Sequence, residues 1–313
     1  MIEVDALAKR FVVRRGRFRR ERHVVEAVKG ISFRVERGEL LGYLGPNGAG
    51  KSTTIKMLTG ILVPSSGHVR VAGLEPSRWR IELARRIGAM FGQRVQLWWD
   101  LPLQDSFELL RHVYKVPRER YAERLARLRA VLDLDAFLQT PVRQLSLGQR
   151  IRGELAASML HGPELLFLDE PTIGLDVVAK QRVRDFLLEI NRQDGVTVML
   201  TTHDLGDIER LCERLLVIDQ GSLIWDGGIP ELKERFGGER TLVVDLEEPA
   251  PPLAVEGAAV ERVEGPRQWL RFRGSASDLT ARVVASARVV DLQIQEPDIE
   301  EIVRRIYART ERP

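Results

Sequence analysis

The fold of this chain is decided by the stretch Gly45-Pro46-Asn47-Gly48-Ala49-Gly50-Lys51-Ser52. An apolar run at 40–44 precedes it and predicts a short buried strand, and residues 53–59 after it predict a helix. A strand, a glycine-rich loop and a helix in this order are the context in which the pattern G-x-x-x-x-G-K-[ST] binds phosphate. The alternative, a glycine turn beside a lysine by chance, leaves this flanking pattern unexplained. We therefore predict a phosphate-binding loop.

The residue types of the loop predict how it would hold a nucleoside triphosphate. Its glycines let successive backbone N–H groups point at an anion, and the helix that begins near Gly50 adds the positive end of its dipole. We expect Lys51 to reach the β- and γ-phosphates and the Ser52 hydroxyl to ligate Mg²⁺. The predicted ATP-binding residues of the loop are Gly45, Pro46, Asn47, Gly48, Ala49, Gly50, Lys51, Ser52 and Thr53.

A second predicted element of the site ends in two acids. Residues 165–168 form an unbroken apolar run that predicts a buried parallel strand, and Asp169 and Glu170 follow it directly. Ligands of open α/β sheets bind beyond the carboxyl ends of the strands. We expect Asp169 to hold Mg²⁺, directly or through water, and Glu170 to orient and deprotonate the attacking water.

Composition and charge narrow the class of protein. The 313 residues include 44% hydrophobic and 30% charged residues, which is ordinary for a globular protein with a buried core. No apolar run approaches the roughly 20 residues that cross a bilayer, and the acidic start predicts no secretion signal. Cys212 is the only cysteine, which excludes an internal disulfide. The net charge of +3 is too small to predict nucleic-acid binding by itself.

The order of the predicted elements indicates two domains. Strands alternate with helices up to about residue 235, which predicts an α/β core with a mostly parallel sheet, an added antiparallel sheet, and a helical subdomain at about 94–160. The composition changes after residue 237, so we predict a cassette at 1–237 and a small α+β domain at 238–313. Six arginines crowd residues 14–22. A solvated hairpin loop is the favoured interpretation, and contact with an anionic membrane surface is the alternative.

A third motif connects the chain to a known family. Leu145-Ser146-Leu147-Gly148-Gln149-Arg150 resembles the signature motif of the ATP-binding-cassette (ABC) ATPases, usually LSGGQ. Leu147 replaces the first glycine of that motif, whereas the serine and the second glycine are kept. The order of the motifs after Lys51 also matches that of the family, and the resemblance covers about residues 1–235. The matching positions are Gln93, Ser146, Asp169, Asp176 and His203.

The resemblance implies a P-loop ABC cassette that hydrolyses ATP with Mg²⁺, and it assigns roles by position. Gln93 resembles the Q-loop glutamine, which contacts Mg²⁺ or the water and senses the membrane partner. His203 resembles the switch histidine that bonds the γ-phosphate, and Asp176 resembles the D-loop aspartate that touches the opposite nucleotide site. The family stacks adenine on an aromatic residue, for which we expect Phe11, with a position near residues 22–23 as the alternative.

The family also implies a second ATPase subunit. Two cassettes meet head to tail, and each ATP lies between the phosphate loop of one chain and the signature motif of the other. This chain carries one copy of each motif, so its simplest partner is a second copy of itself. The residues expected to contact the ATP of the partner chain are Ser146, Leu147, Gly148 and Gln149.

A longer stretch resembles a narrower group. Residues 91–102 look like those of bacterial ABC export ATPases of the drug-resistance and polysaccharide-export type, which pair with separate transmembrane permease subunits. This implies a peripheral subunit at the cytoplasmic face of the cell membrane, with no nucleic-acid partner. Trp98 and Trp99 either dock that membrane subunit or pack within the helical subdomain. The alternative function is a soluble ABC ATPase acting on the ribosome or DNA, but this chain has one cassette and no sustained heptad repeat.

Overall fold

The computed structural model describes residues 1–15, 21–92, 95–202, 204–237, 239–295 and 299–310. The chain divides into two compact units, Met1–Gly227 and Gly228–Pro313, and each is described by itself. The composition change predicts a boundary after residue 237, whereas the contacts divide the chain before helix α8 (Ile229–Gly237). The reason is that α8 packs against helix α10 (Ile299–Thr310) of the second unit.

The first unit is built on a mainly parallel sheet. Its strands are β3 (Leu40–Leu44), β5 (Ile87–Phe91), β6 (Leu165–Asp169), β7 (Thr197–Thr201), β8 (Arg214–Asp219) and β9 (Ser222–Gly228). The strand order is β5-β6-β7-β3-β8-β9, and β5, β6, β7, β3 and β8 pair in parallel. Every residue of β3 and β7 is buried, as expected for parallel strands covered on both faces. The carboxyl ends of β3 and β6 therefore open at the same edge of the sheet, where a ligand site is expected.

A second, antiparallel sheet precedes and flanks this core. It consists of β1 (Ile2–Arg15), β2 (Glu21–Val35) and β4 (Ser66–Val71), in the order β2-β1-β4. The alternation at residues 2–6 predicts an edge strand, which is wrong: β1 lies in the middle, because β4 pairs with its first residues and β2 pairs along its length. The two sheets share one core, in which the rings of Phe33 and Tyr43 lie 6.3 Å apart.

The first unit also contains helices, and the helix predicted at 53–59 is observed at Lys51–Leu58. They are α1 (Lys51–Leu58), α2 (Arg80–Ala84), α3 (Leu103–Tyr114), α4 (Arg118–Leu132), α5 (Leu147–Met159), α6 (Val177–Asp194) and α7 (Leu205–Leu211), with short 3-10 turns at Asp135–Phe137 and Val142–Gln144. Pro102 and Pro117 stand immediately before α3 and α4, where a residue without an N–H removes no helical hydrogen bond. Helices α3 and α4 both pack against α5, within the region predicted to be helical.

The second unit is a small α+β fold, as predicted. Its strands are β10 (Arg240–Leu246), β11 (Ala258–Glu264), β12 (Arg267–Phe272) and β13 (Val289–Gln295). Besides α8 and α10, the unit contains helix α9 (Ala276–Ser286). The antiparallel order is β11-β12-β10-β13, and one face packs Leu242, Val244 and Leu270 against Leu279 of α9. In the described part of the chain, no helix combines the length and apolar character needed to span a membrane.

Candidate active site

The phosphate loop connects β3 to α1, and two glycines set its path. Gly50 has a φ of 108°, in the left-handed region, and a Cβ added there would lie 2.5 Å from the carbonyl oxygen of Ala27. A Cβ added at Gly45 would collide with the carbonyl oxygen of Ile218. Side chains are therefore excluded at both positions, because the loop backbone lies directly against β2 and β8.

The loop and the two predicted acids line one cleft. Its lining residues are Ala27, Pro46, Asn47, Gly48, Gly50, Lys51, Ser52, Thr53, Asp169 and Glu170. Ala49 supports the loop from behind: it is buried, and its carbonyl oxygen accepts a hydrogen bond of 2.9 Å from Gly221 N. Sequence reasoning missed Ala27, because its backbone carbonyl rather than its side chain approaches the loop.

Lys51 lines the cleft and is buried. Its Nζ donates to the carbonyl oxygens of Gly45 and of Pro46, the latter at 3.1 Å. Burial lowers the pKa of Lys51, and the nearby carboxylates of Glu170 and Asp169 act in the opposite direction. These carboxylates favour the charged form, which lets the ammonium donate hydrogen bonds to phosphate oxygens.

The two acids are held by the neighbouring strand β7. The Thr201 hydroxyl donates to Asp169 Oδ1 at 2.5 Å, and the backbone N–H of Glu170 donates to the Thr201 carbonyl oxygen at 2.9 Å. Glu170 has a φ of 60°, an unusual conformation for a residue with a side chain that costs on the order of 1–3 kcal/mol. Thr201 thus anchors both acids, a role that no sequence motif indicated.

The side chains of the cleft fit a bound Mg²⁺. Ser52 supplies a hydroxyl and Asp169 a carboxylate, and both line the cleft beside the loop. Mg²⁺ prefers oxygen ligands and ordinarily takes one or two carboxylates from the protein, with the remainder from phosphates and water. The donor set is therefore that of a metal bound together with a phosphate ligand.

A buried ionic cluster, which we call the Asp207 cluster, ties the segment after Glu170 to α6 and α7. Asp207 is fully buried; Thr172 donates to its Oδ2 at 2.5 Å and Arg184 Nε donates to its Oδ1 at 2.6 Å. A buried charge is tolerated when it is paired and hydrogen-bonded, as here. Because Thr172 lies two residues after Glu170, the cluster fixes the loop that carries this acid. Sequence reasoning did not find it.

Two predicted residues, Gln93 and His203, lie outside the described residues. Asp204 directly follows His203 and pairs with Lys180 of α6 at 2.6 Å, which lowers the pKa of the Asp204 carboxyl. The predicted D-loop residue, Asp176, caps the start of α6, where its carboxylate accepts a backbone N–H of the first turn at 2.8 Å. Helix α6 thus joins the D-loop position to the segment after the histidine.

The signature residues begin helix α5. Ser146 Oγ accepts from Gln149 N at 3.2 Å, and Gln149 Oε1 accepts from Ser146 N at 2.8 Å, which forms a capping box. Leu147, the departure from the family pattern, is 39% exposed, and its Cδ2 lies 2.6 Å from where a Cβ of Gly174 would be. The described residues that line the phosphate-loop cleft include none of the signature residues, so Gly148 is also absent from them.

The predicted adenine and docking residues lie elsewhere on the first unit. Phe11 pairs with Val25 in the β1–β2 ribbon, with Lys9 Nζ 5.3 Å from its ring centroid, and the described lining of the cleft does not include it. Trp98 and Trp99 are 40% and 48% exposed. Both tryptophans therefore present aromatic surface to solvent, as a docking residue must.

Comparison with known proteins identifies relatives over most of the chain. A family profile described as ABC transporter matches residues 28–173. The linearmycin resistance ATP-binding protein LnrL of Bacillus subtilis is 30% identical over 294 residues, covering 90% of this chain and 94% of that protein. The daunorubicin resistance ATP-binding protein DrrA3 of Streptomyces coeruleorubidus is 38% identical and covers 70% and 69% of the two chains. A solved ATP-binding subunit of an ABC transporter superposes with a TM-score of 0.65 at 25% identity, covering 75% and 93%.

Proposed function

This chain belongs to the ABC transporter family, as an ATP-hydrolysing subunit that powers a membrane transporter, and on that premise we propose that it works as a head-to-tail homodimer that drives export. The observation that carries this proposal is the separation of the motifs. The phosphate loop and Glu170 share one cleft, whereas Ser146 begins a helix outside it. A site split in this way is completed by the signature helix of a second chain.

Each chain contributes one half of the reaction site. The loop residues 45–53 hold the phosphates through backbone N–H groups and Lys51, and Ser52, Asp169 and Gln93 hold Mg²⁺. When bound, the metal neutralises charge that develops on the transferred phosphoryl group. Glu170 orients the attacking water and accepts its proton. The Thr201 hydroxyl keeps Asp169 in place beside it.

The second chain closes the site. Its Ser146 hydroxyl and the N-terminal N–H groups of α5, with Leu147, Gly148 and Gln149, are directed at the triphosphate. Its Asp176 contacts the opposite site through the D-loop. In the chain whose phosphate loop holds the ATP, His203 bonds the γ-phosphate and Phe11 stacks on adenine. ATP then holds the two chains together, and hydrolysis releases them.

The relatives support a drug-exporter type of partner. LnrL and DrrA3 are named for resistance to linearmycin and daunorubicin, both as ATP-binding proteins. We extend this to a separate permease subunit and to a peripheral position at the cytoplasmic face of the membrane. The soluble alternative, an ABC ATPase acting on the ribosome or DNA, is disfavoured by the same relatives.

The substitution Glu170→Gln tests the split site. Without the base, ATP stays bound, so the variant should form an ATP-dependent dimer with little turnover. Light scattering after size-exclusion chromatography in MgATP measures the dimer, and phosphate release measures turnover. Glu123→Gln, on the exposed face of α4, is the matched control and should behave as the parent chain. A Glu170→Gln chain that stays monomeric at millimolar ATP, alone and with its membrane partner, contradicts the proposal.

A further inference from the structure

A buried carboxyl group on α5 has no role in the site described above. Glu154 lies eight residues, about two turns, after Ser146 and is 5% exposed. Glutamate is rarely buried unless it is paired or hydrogen-bonded, and the contacts of Glu154 show what it holds.

Glu154 binds the backbone of the segment 95–99, which follows Gln93 in sequence. Gln96 N donates to its two carboxylate oxygens at 3.1 and 3.3 Å, and Leu97 N donates to Oε1 at 3.5 Å. In return, the Gln96 side chain donates to the Glu154 carbonyl oxygen at 3.3 Å. The segment forms no regular strand or helix whose carbonyl oxygens could accept these N–H groups, so the Glu154 carboxylate is their acceptor.

Close packing reinforces this attachment. A Cβ added at Gly153 would lie 2.9 Å from Leu103 and 3.4 Å from Leu97, so the glycine lets α3 and the segment approach α5. Trp98 N donates to the buried hydroxyl of Ser106 on α3 at 3.3 Å. The segment is therefore attached to two helices, α3 and α5.

The same segment carries the exposed tryptophans, Trp98 and Trp99. Trp99 lies under Arg150 of α5, with the guanidinium carbon 5.8 Å from the ring centroid, and its carbonyl oxygen accepts from Arg143 N at 2.9 Å. Arg143 and Arg150 flank Ser146 in sequence. Arg143 and Arg150 thus contact Trp99 and also lie close in sequence to Ser146 at the start of α5.

The carboxyl group is retained here despite its cost. Burial raises the pKa of Glu154 to about 7, while the hydrogen bonds from Gln96 and Leu97 and the charge of Arg150 act to lower it. An apolar side chain would fill the position without this desolvation penalty, but it would leave two backbone N–H groups without an acceptor.

We propose that Glu154 is a positioning residue that fastens the segment 95–99 to the signature helix α5, so that Trp98, Trp99 and Ser146 move as one body. A membrane subunit that displaces the tryptophans then displaces Ser146 from the ATP of the partner chain, and ATP binding shifts the tryptophans in return. This inference rests on the proposed function, which places Ser146 at that ATP.

Hydrogen exchange tests the attachment in the full chain without nucleotide. The amides of Gln96 and Leu97 should exchange as slowly as those of α5, and Glu154→Ala should accelerate them on the order of tenfold. Glu123→Ala, which removes an exposed glutamate from α4, should leave both amides protected. Rapid exchange of these amides in the parent chain, or acceleration spread equally over α3, α4 and α5 in Glu154→Ala, overturns the proposal.

Tryptophan fluorescence tests the coupling in the Glu170→Gln background. The signal of interest is the MgATP-induced change that the double substitution Trp98→Phe/Trp99→Phe removes. Glu154→Ala should abolish it while the ATP-dependent dimer persists, and Glu154→Gln, which keeps an acceptor oxygen, should restore most of it. An unchanged signal in Glu154→Ala, or a dimer that forms with no such signal in the Glu170→Gln chain, overturns the inference.

The two proposals fail in different ways. If the Glu170→Gln chain forms no ATP-dependent dimer, the split site is wrong, and the exchange of the Gln96 and Leu97 amides still decides the attachment. Where Glu154→Ala does not fold, the exchange rates of the parent chain and the fluorescence of Glu154→Gln decide it: protected amides and a retained signal support the attachment, and rapid exchange refutes it.

Discussion

At the scale of single residues, this chain holds its important carboxyl groups by different means. Asp169 accepts the Thr201 hydroxyl at the rim of the cleft, and Asp207 is paired with Arg184 in the interior. The Glu154 carboxylate accepts the backbone N–H groups of Gln96 and Leu97, and within the described residues it forms no ion pair. Burial therefore raises the pKa of Glu154 to about 7.

We expect the substitution Glu154→Gln to change how stability depends on pH. The pKa of Glu154 is about 7 in the folded chain and near 4.5 when unfolded, so its contribution is fully present below about pH 4.5 and is lost as the pH rises through 7. Glutamine does not titrate. The free energy of unfolding of Glu154→Gln, relative to the parent, should therefore increase by about 1–3 kcal/mol between pH 5 and pH 8.

Urea unfolding of both chains at several pH values measures this difference. Glu123→Gln, at an exposed position of α4, is the control and should run parallel to the parent. A difference between Glu154→Gln and the parent that is flat across this range would show that the buried carboxyl does not titrate as described.

At the scale of elements, helix α5 holds two regions that the proposed function assigns to different partners. Its first turn carries the capping box of Ser146 and Gln149, and its middle binds the segment 95–99 through Glu154. The Asp207 cluster links α6 to α7. The segment 95–99 and the loop that carries Glu170 are thus each attached to a helix. A displacement of that helix can therefore reach the site.

We expect Trp98→Ala/Trp99→Ala to weaken assembly with the membrane subunit by at least about tenfold, since paired exposed aromatics are typical hot spots of interfaces. ATP binding by the isolated chain should be unchanged, because neither tryptophan lines the described cleft. The amount of membrane subunit that co-purifies with each tagged variant from detergent-solubilised membranes of cells expressing both measures assembly.

Trp79→Ala provides a matched control for this prediction. Trp79 is 51% exposed, similar to Trp98 and Trp99, and stands before α2. Loss of assembly in Trp79→Ala to the same extent would indicate a general effect of removing surface tryptophan. Undiminished assembly of the double variant would leave the tryptophans with a packing role only.

At the scale of the whole molecule, the split site predicts complementation between two inactive chains. Lys51→Ala removes the loop cation, and Gly148→Asp places a negative charge at the signature motif, where a Cβ meets only ordinary contacts at 3.6 and 3.8 Å. Either variant alone should be inactive. A mixture should recover about a quarter of the parental rate per chain, because random pairing leaves one intact site in half of the dimers.

Phosphate release by the single variants and by mixtures at varied ratios measures this recovery, and a mixture of two Lys51→Ala preparations is the blank. A parental rate in either variant alone would contradict the head-to-tail arrangement. So would a parent chain that hydrolyses ATP at full speed per molecule when diluted below the range in which it pairs.

The sequence by itself determined the parts of this protein whose physics is local. A lysine and a serine that follow glycines at 45 and 50, between a strand and a helix, specify the loop, and at the two glycines an added side chain would collide with backbone. Apolar runs predicted β3 and β6. The family, predicted from the order of the motifs, and the fold class, including the small α+β unit predicted from the composition change, were confirmed.

Only the tertiary structure decided the contacts between distant segments. Such contacts determine the middle position of β1, the anchoring of two acids by Thr201, the Asp207 cluster and the burial of Glu154. In most of them the two contacting residues lie 32 or more positions apart in the sequence. The division before α8 depends on its packing against α10. A polar residue in a helix predicts nothing about its partner, because whether burial is tolerated is set by the groups that the fold brings against it.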